Sequence, residues 1–318
     1  MNILIYGHRG WIGSQFVTLL REINHSETEV KNHHRINLGT ARVDHDEDLI
    51  REIDRIRPTH VISFIGRTHG KIGDRVYPTI DYLEQPDRLV ENVRDNLYAP
   101  VLLALLSRRY NYHFTYLGTG CIFSYDSLHP CPNVDDVDQG GLLRNDTKNL
   151  QGFLESDTPN FTGSGYSTVK GFTDRLAHYL PMLNLRIRMP ITGKSNPRNF
   201  ITKICKYEKI CSIPNSMSVL PTLLPLVVDM MNKGLQGSIN LTNPGVITHN
   251  RILTLYREHV DPNHTWNNFT IQQQDEVLDA KRSNNYLDTT RLESLYPNVP
   301  DIEQAVTEML KSFQTSED

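Results

Sequence analysis

The sequence predicts an α/β fold, a doubly wound parallel sheet with a smaller C-terminal lobe. Two observations carry this prediction. Asn2–Tyr6 has the apolar composition of a buried strand, and a glycine-rich turn and an apolar-periodic helix follow it. The same order of helix and strand then recurs along the chain, which is typical of a parallel sheet built from βα units. The helices are expected at 46–55, 87–107 and 166–180, and the strands after them at 61–65, 114–117 and 185–189.

The first turn, Gly7-His-Arg-Gly10-Trp-Ile-Gly13, has the spacing of a dinucleotide-binding turn. Gly7 permits a sharp exit from the strand, Gly10 lets backbone N–H groups approach a phosphate, and Gly13 lets the helix pack closely on the strand. A helix expected from Ser14 would then present its N-terminus to the anion. The alternative is a glycine-rich turn without a ligand, but the flanking strand and helix favour cofactor binding.

Composition excludes several classes of protein. The chain has 318 residues with 38% hydrophobic residues and a net charge of −4, and its Lys and Arg residues are scattered, so neither nucleic acid nor an anionic membrane is an expected partner. Apolar runs are too short to span a bilayer and the first strand begins at residue 2, so a soluble, cytoplasmic protein is expected. The four cysteines have no zinc-like spacing, so no metal is expected.

The second strand is expected within Thr28–Arg35, although its pattern is poor. An NAD site usually has an acidic residue at the end of this strand, whereas His33-His34-Arg35 offers positive charge suited to a 2′-phosphate. Arg9, in the glycine turn, could share that phosphate. These residues favour NADP(H) over NAD(H), and the alternative for each is a solvated surface charge.

The fourth predicted strand leads into the first candidate chemical site. Thr119 and Cys121 follow Phe114–Leu117, and if the backbone stays extended their side chains point to the same side. A hydroxyl and a thiol could then address one substrate. Considered singly, Thr119 could be a turn residue and Cys121 a small buried hydrophobe.

A second candidate site lies on the helix after the segment Ser124–Gly165, whose length is typical of a binding loop. Tyr166 and Lys170 lie one helical turn apart on one face. The ammonium group near the phenol would favour the phenolate, which matters because a tyrosine with a pKa of about 10 exchanges protons poorly at neutral pH.

The remaining chain is predicted to complete the sheet and form the small lobe. Lys194, Arg198, Asn199 and Lys203 gather basic and amide groups suited to an anionic substrate, and Arg282-Ser-Asn-Asn285 is expected to be an exposed polar cluster. We expect residues 1–190 to form the NADP-binding domain, to which 217–245 return, and residues 191–216 and 246–318 to form the substrate-binding lobe.

The glycine pattern, Thr119, and Tyr166 with Lys170 resemble the extended short-chain dehydrogenase/reductases, enzymes of nucleotide-sugar chemistry on a Rossmann-like core. Further segments closely resemble, within that family, the 3,5-epimerase/4-reductases of UDP-L-rhamnose synthesis. These segments are Leu117-Gly-Thr-Gly-Cys-Ile-Phe123, Pro159-Asn-Phe-Thr-Gly-Ser164, Arg186-Ile-Arg-Met-Pro-Ile191, Asn196-Pro-Arg-Asn-Phe-Ile-Thr-Lys203 and Arg282-Ser-Asn-Asn285.

The resemblance implies roles for particular residues. Cys121 and Lys203 would be the epimerisation acid/base pair, Thr119 and Tyr166 would bind the C4 oxygen, and Lys170 and Asn96 would support proton transfer. Lys203 could instead be a phosphate contact. The resemblance and the motifs together place the cofactor at Gly7, Arg9, Gly10, Trp11, Ile12, Gly13, Arg35, Tyr166, Lys170 and Pro190, and the substrate at Arg198, Asn199 and Arg282.

The expected activity is 3,5-epimerisation of UDP-4-keto-6-deoxy-D-glucose and then NADPH-dependent reduction to UDP-L-rhamnose, by a homodimer. Two alternatives stay open. One is a reductase without epimerase activity, which resembles dTDP-4-dehydrorhamnose reductase, and the other is a catalytically silent NADP-binding regulatory subunit. Dehydration is disfavoured because Gly120-Cys121 stands where related 4,6-dehydratases carry Asp-Glu.

Overall fold

A computed structural model of the chain describes residues 1–27, 33–133 and 151–315. Its central sheet has six strands, which are β1 (Asn2–Tyr6), β2 (Arg35–Leu38), β3 (His60–Ser63), β6 (His113–Thr119), β7 (Leu183–Ile187) and β9 (Gly237–Asn240). They lie in the order β2-β1-β3-β6-β7-β9. β1 pairs in parallel with β2 and β3, and β3 pairs in parallel with β6. The predicted doubly wound parallel sheet is therefore confirmed.

The helices follow the strands as predicted, with shifted ends. They are α1 (Trp11–Ser26), α2 (Asp46–Ile56), α3 (Leu89–Val93), α4 (Ala99–Tyr110), α5 (Gly165–Ala177), α6 (Phe200–Ile204), α7 (Leu220–Asn232), α8 (His249–His259), α9 (Ile271–Val277), α10 (Thr290–Leu295) and α11 (Ile302–Lys311). A π-helical segment, Arg94–Tyr98, joins α3 to α4. Among these described helices, none combines the length and apolar character needed to cross a membrane.

The second strand was wrongly placed. β2 begins at Arg35, and its register pairs Arg35 with Asn2 at the start of β1. His33-His34-Arg35 therefore lie at the amino end of the strand, whereas ligands of parallel sheets bind at the carboxyl ends. This removes the reason for placing Arg35 at the cofactor. Residues 28–32 of the predicted strand lie outside the described residues.

The stretch 67–86 contains a hairpin of β4 (Gly70–Ile72) and β5 (Arg75–Tyr77) and a 3₁₀ helix, Ile80–Glu84. Helix α1 begins at Trp11, three residues before the expected start. Of the predicted binding loop, residues 134–150 lie outside the described part of the chain.

The chain divides into two compact units. The first contains 1–118, 164–185 and 224–239, and the second contains 119–163, 186–223 and 240–318. The first unit has a core around Leu4, Tyr6, Leu103 and Phe114, and the second has a core around Ile191, Ile201, Ile252 and Val306. The second unit also holds a short pair of strands, β8 (Lys209–Ile210) and β10 (Asn267–Asn268). The functional domain boundaries given above stay a prediction.

Candidate active site

In the first unit, the glycine turn is shaped by contacts that exclude side chains. Gly7 has a φ of +73°, and a Cβ there would lie 2.7 Å from the carbonyl carbon of Phe64. A Cβ on Gly13 would lie 2.4 Å from the Gly7 oxygen, and that oxygen accepts a hydrogen bond from Gly10 N at 2.9 Å. The turn therefore holds the start of α1 directly against the end of β1, as only glycine allows.

The N-terminus of α1 is suited to an anion. Its N-cap is Gly10, which makes no side-chain cap, and its first turn contains no acidic residue. The first N–H groups of a helix lack partners within the helix and carry partial positive charge. These features fit the pyrophosphate of a dinucleotide, which the backbones of Trp11, Ile12 and Gly13 would hold.

The residues at the end of β2 lie where folds of this kind bind the adenosine ribose of a dinucleotide. Leu38-Gly39-Thr40-Ala41-Arg42 contain no acidic residue. Behind them, the Glu52 carboxylate accepts hydrogen bonds from Thr40 N at 2.8 Å and Tyr6 Oη at 2.9 Å. Burial acts to raise the pKa of Glu52, but the hydrogen bonds from Thr40, Tyr6 and Ala41 outweigh it, so this pKa lies below its usual value. Glu52 thus fixes the loop as a structural anion.

Tyr166 and Lys170 lie on α5, and both are buried. The helix begins there because Ser164 is its N-cap, whose Oγ accepts a hydrogen bond from Ser167 N at 3.0 Å. Lys170 Nζ lies 5.9 Å from the centroid of the Tyr166 ring, as the one-turn spacing predicts. The same Nζ donates a hydrogen bond to Tyr116 Oη and lies 4.8 Å from the Tyr116 ring centroid.

Tyr116 is a partner of Lys170 that the sequence did not reveal. It lies in β6 and is fully buried, and its pKa is raised well above the usual value by burial and by the charges of Tyr166 and Asp174. Tyr116 is therefore a neutral phenol that can accept from an ammonium group. The available signal was a tyrosine inside the predicted strand Phe114–Leu117.

Asn96 lies in the π-helical segment and is completely buried. Its Oδ1 accepts from Arg67 N at 3.0 Å, and its Nδ2 donates to Arg67 O and Asn92 Oδ1 at 2.9 Å each. A Cβ on Gly66 would lie 3.3 Å from Asn96 Oδ1 and 3.6 Å from Lys170 Nζ. Asn96 and Lys170 therefore converge beside Gly66, at the end of β3.

In the second unit, Thr119 ends β6 and Cys121 lies in the turn after it. The expectation of an extended backbone through Cys121 is therefore wrong. Instead, Cys121 N donates to Thr119 Oγ1 at 3.1 Å, which leaves the Thr119 hydroxyl hydrogen available to a ligand. Thr119 is 8% exposed and Cys121 is half-buried.

Lys203, on α6, is half-buried. Its pKa is lowered by burial and then by the charges of Arg198 and Arg282. Burial also lowers the pKa of Arg198. Three cationic side chains therefore act on one another in this unit, which is a suitable environment for an anion and for a lysine that exchanges protons.

The structure shows the contacts of two predicted site residues, Asn199 for the substrate and Pro190 for the cofactor. Asn199 is the N-cap of α6 and is fully buried, with Oδ1 accepting from Ile201 N at 3.3 Å and Nδ2 donating to Thr192 O at 2.8 Å. The structure therefore gives Asn199 a capping role, and its predicted contact with substrate lacks support. Pro190, which the sequence places at the cofactor, lies after β7, and its carbonyl oxygen accepts a hydrogen bond from Phe200 N at 3.1 Å.

The cluster Arg282-Ser-Asn-Asn285 is not exposed as expected. Ser283 is 7% exposed and Asn285 is fully buried. Asn285 Nδ2 donates to Gly120 O at 2.9 Å and to Phe123 O at 2.8 Å. Hydrogen bonding compensates for the burial of these polar groups, and it attaches the cluster to the segment that carries Cys121.

No family model matches the chain. It is 39% identical over 307 residues to the Arabidopsis thaliana bifunctional dTDP-4-dehydrorhamnose 3,5-epimerase/dTDP-4-dehydrorhamnose reductase, covering 96% of this chain and 91% of the relative. The chain therefore belongs to the rhamnose epimerase/reductase family.

One solved structure supports this family, and a second shows the same fold. The crystal structure of a UDP-rhamnose synthase from Acanthamoeba polyphaga mimivirus is 47% identical, with a TM-score of 0.86 over 98% of this chain and 99% of that one. A dTDP-4-dehydrorhamnose reductase from Bacillus anthracis, solved with NADP, is 15% identical with a TM-score of 0.69 over 97% and 99% of the two chains. The latter likeness shows the fold alone.

Proposed function

We propose that this epimerase/reductase converts UDP-4-keto-6-deoxy-D-glucose into UDP-L-rhamnose, by 3,5-epimerisation followed by reduction of the C4 ketone. The observation that carries the proposal is the near-complete match to an epimerase/reductase and to a UDP-rhamnose synthase. We choose UDP over dTDP because the more similar of the two relatives is a UDP-rhamnose synthase. The cationic group of Lys203, Arg198 and Arg282 supports a diphosphate-bearing substrate.

Epimerisation requires removal of the protons at C3 and C5, which the neighbouring ketone acidifies. A base takes each proton, and an acid on the opposite face of the sugar returns one with inverted configuration. We assign these functions to Cys121 and Lys203. The lowered pKa of Lys203 increases the fraction of neutral amine that can act as a base. The Thr119 hydroxyl can donate to the C4 oxygen as enolate charge develops.

The residues around the glycine turn fit a nicotinamide dinucleotide, which when bound supplies the hydride for C4. In our assignment Tyr166 donates a proton to the C4 oxygen, Lys170 holds a positive charge near the phenol, and Asn96 fixes the backbone beside Lys170. Arg9 supports NADPH over NADH, because a 2′-phosphate needs positive charge, and the residues 38–42 at the end of β2 include no acidic residue of the kind that binds the ribose of NADH.

We also propose a cytoplasmic homodimer. Exposed apolar side chains on α4 and α5 support self-association, since large exposed hydrophobic residues on adjacent helices favour a protein interface. They include Leu105 at 50% exposure, Phe172 at 55% and Leu176 at 41%. Light scattering of the purified chain should give twice the monomer mass. Phe172→Asp should reduce the measured mass to that of a monomer.

Incubation with UDP-4-keto-6-deoxy-D-glucose in D₂O tests the function. Without NADPH, NMR should show deuterium entering at C3 and C5, and with NADPH it should show UDP-L-rhamnose. A reductase-only enzyme would give no exchange but would oxidise NADPH with the pre-epimerised sugar. A silent regulatory subunit would show neither reaction, and either outcome would reject the proposal.

A further inference from the structure

Residues 120–123, the Cys121 segment, have main-chain groups that are bonded to distant parts of the second unit. The carbonyl oxygen of Gly120 accepts from Asn285 Nδ2 at 2.9 Å and from Arg188 Nη1 at 3.2 Å. This oxygen belongs to the peptide group that also contains Cys121 N. Because a carbonyl oxygen has two lone pairs, these two donors saturate it. The peptide that precedes Cys121 is therefore fixed from two other parts of the chain.

The carbonyl oxygen of Phe123 has the same arrangement. It accepts from Asn285 Nδ2 at 2.8 Å and from Ser283 Oγ at 2.6 Å. One fully buried amide nitrogen therefore bonds both ends of the Cys121 segment. A Cβ on Gly120 would lie 2.5 Å from Leu287 Cδ1, so the segment also packs directly against the chain that follows Asn285. The main chain around Cys121 thus takes its shape from residues more than 150 positions away.

Arg188 holds the donors of these hydrogen bonds in place. Its side chain is 1% exposed, and its guanidinium donates to Ser283 Oγ and Ser283 O at 3.0 Å each. Arg188 and Asn285 also share a second acceptor, since Asn215 Oδ1 accepts from Arg188 Nη2 at 2.7 Å and from Asn285 N at 3.0 Å. A buried network in which the members share partners restricts each side chain to one arrangement. The groups that bond the Cys121 segment are therefore rigid themselves.

The segment 282–285 also acts on the second group that we assign to epimerisation. It begins at Arg282, whose charge, after burial and the charge of Arg198, lowers the pKa of Lys203. The remainder of the same segment bonds the Cys121 segment, as described above. Four consecutive residues therefore act on both members of the assigned acid/base pair, and the reason for their buried polar side chains lies in the site.

We propose that Ser283 and Asn285 are positioning residues, which hold the main chain of the Cys121 segment in the shape from which Cys121 exchanges the protons at C3 and C5. The inference rests on the proposed epimerase function. A displacement of about 1 Å at a reacting group can cost about 10²-fold in rate. Reduction depends, in our assignment, on Tyr166 and Lys170, which lie on α5 in the first unit. Loss of these hydrogen bonds should therefore slow epimerisation and spare reduction.

The test compares two reactions of each variant. Deuterium exchange at C3 and C5 of UDP-4-keto-6-deoxy-D-glucose without NADPH measures epimerisation, and oxidation of NADPH with the pre-epimerised sugar measures reduction. Asn285→Ala should lower the kcat of exchange by about 10- to 10²-fold, with little change in KM or in the kcat of reduction. Ser283→Ala removes a single hydroxyl and should show the same selectivity with a smaller loss, because Phe123 O keeps its bond from Asn285.

The double variant adds a second measurement. Without Ser283 Oγ and Asn285 Nδ2, the Phe123 oxygen loses both of the donors described above. Each single variant leaves this oxygen one donor. The loss of exchange in Ser283→Ala/Asn285→Ala should therefore exceed the product of the two single losses, as is expected for residues that share a partner.

Asn240→Ala is the matched control. Asn240 is fully buried in the second unit, and its Nδ2 donates to two main-chain carbonyls, Phe153 O at 2.9 Å and Asp288 O at 2.8 Å. These acceptors lie outside the Cys121 segment. A purely structural loss changes both reactions together, so Asn240→Ala should leave the ratio of exchange to reduction at the wild-type value.

Three results in a chain that exchanges deuterium would overturn the inference and leave the function standing: an unchanged ratio of exchange to reduction in Asn285→Ala and Ser283→Ala, the same fall of that ratio in Asn240→Ala, or single losses that simply multiply in the double variant. The wild type reads out the function by itself. A wild type without exchange rejects the proposed function, and the inference is rejected with it.

Discussion

Substitution of Gly13 by Ala tests whether the first turn is built to bind a dinucleotide. The new Cβ would lie 2.4 Å from the Gly7 oxygen and 3.0 Å from His8 Cα. Relief of this contact requires a shift of roughly 1 Å, because non-bonded atoms pack best at about 3.5 Å. The Gly7 oxygen cannot withdraw without weakening its hydrogen bond from Gly10 N. Overpacking of this kind costs about 1–3 kcal/mol.

If the turn must return to its native shape to bind, that cost weakens NADPH binding by about 5- to 140-fold. Fluorescence titration with NADPH measures the affinity, and a thermal melt measures stability. Gly193→Ala is the control, because the nearest atom to its Cβ is Met309 Cγ at 3.8 Å. The reasoning is refuted if Gly13→Ala binds NADPH and melts like Gly193→Ala. A lower melting temperature with unchanged affinity would mean that the turn serves the fold and not the cofactor.

Three further predictions concern the chemistry and the stability of the chain. Cys121→Ala should slow deuterium exchange at C3 and C5 by about 10²–10⁴-fold, which is the usual contribution of an acid/base group. NADPH oxidation with the pre-epimerised sugar should change little, and an equal loss of both reactions would contradict the assignment of Cys121. Tyr116→Phe keeps the ring but removes the oxygen that accepts a hydrogen bond from Lys170, so the free energy of unfolding measured in urea should fall by about 1.5–3 kcal/mol. An unchanged free energy of unfolding would mean that the lysine has another acceptor. The pKa of His249 is lowered to about 4, below the unfolded value of about 6.5, so the contribution of His249 to stability is present above pH 6.5 and is lost as the pH falls toward 4. The melting temperatures of wild type and His249→Gln should therefore converge over that pH range. Melting temperatures that keep a constant difference would exclude this histidine as the cause of acid destabilisation.

The sheet was largely predictable from the sequence because most of its strands are buried. β1 contains the apolar run Ile3–Tyr6, and β3 contains Val61 and Ile62, all of which are buried. The prediction misplaced β2 because β2 is an edge strand and has no fully buried residue. Polar residues occupy two of its four positions, so its composition resembles that of a loop. The break in the long helix at Arg94–Tyr98 was also missed, since one additional residue in a helical turn barely changes the apolar periodicity.

The candidate site was predictable only for groups whose chemistry a local pattern reveals. The spacing of Tyr166 and Lys170 indicates proximity, because a helix brings residues four apart together. The contacts of Lys170 with Tyr116, and of Arg188 with Ser283 and Gly120, join segments distant in sequence, and no local pattern encodes them. Two arginines in one buried strand region, Arg186 and Arg188, were nevertheless a visible anomaly, since arginine is rarely buried without a partner.

The alternation of the chain between the two units affects how the protein can be made and divided. The first unit takes its last segment from residues 224–239, after the second unit has received two of its own. During synthesis, the edge strand β9 therefore leaves the ribosome long after β1, and the six-stranded sheet cannot close until then. A single cut cannot yield two intact halves, and a chimaera that exchanges one whole unit between members of this family needs five junctions.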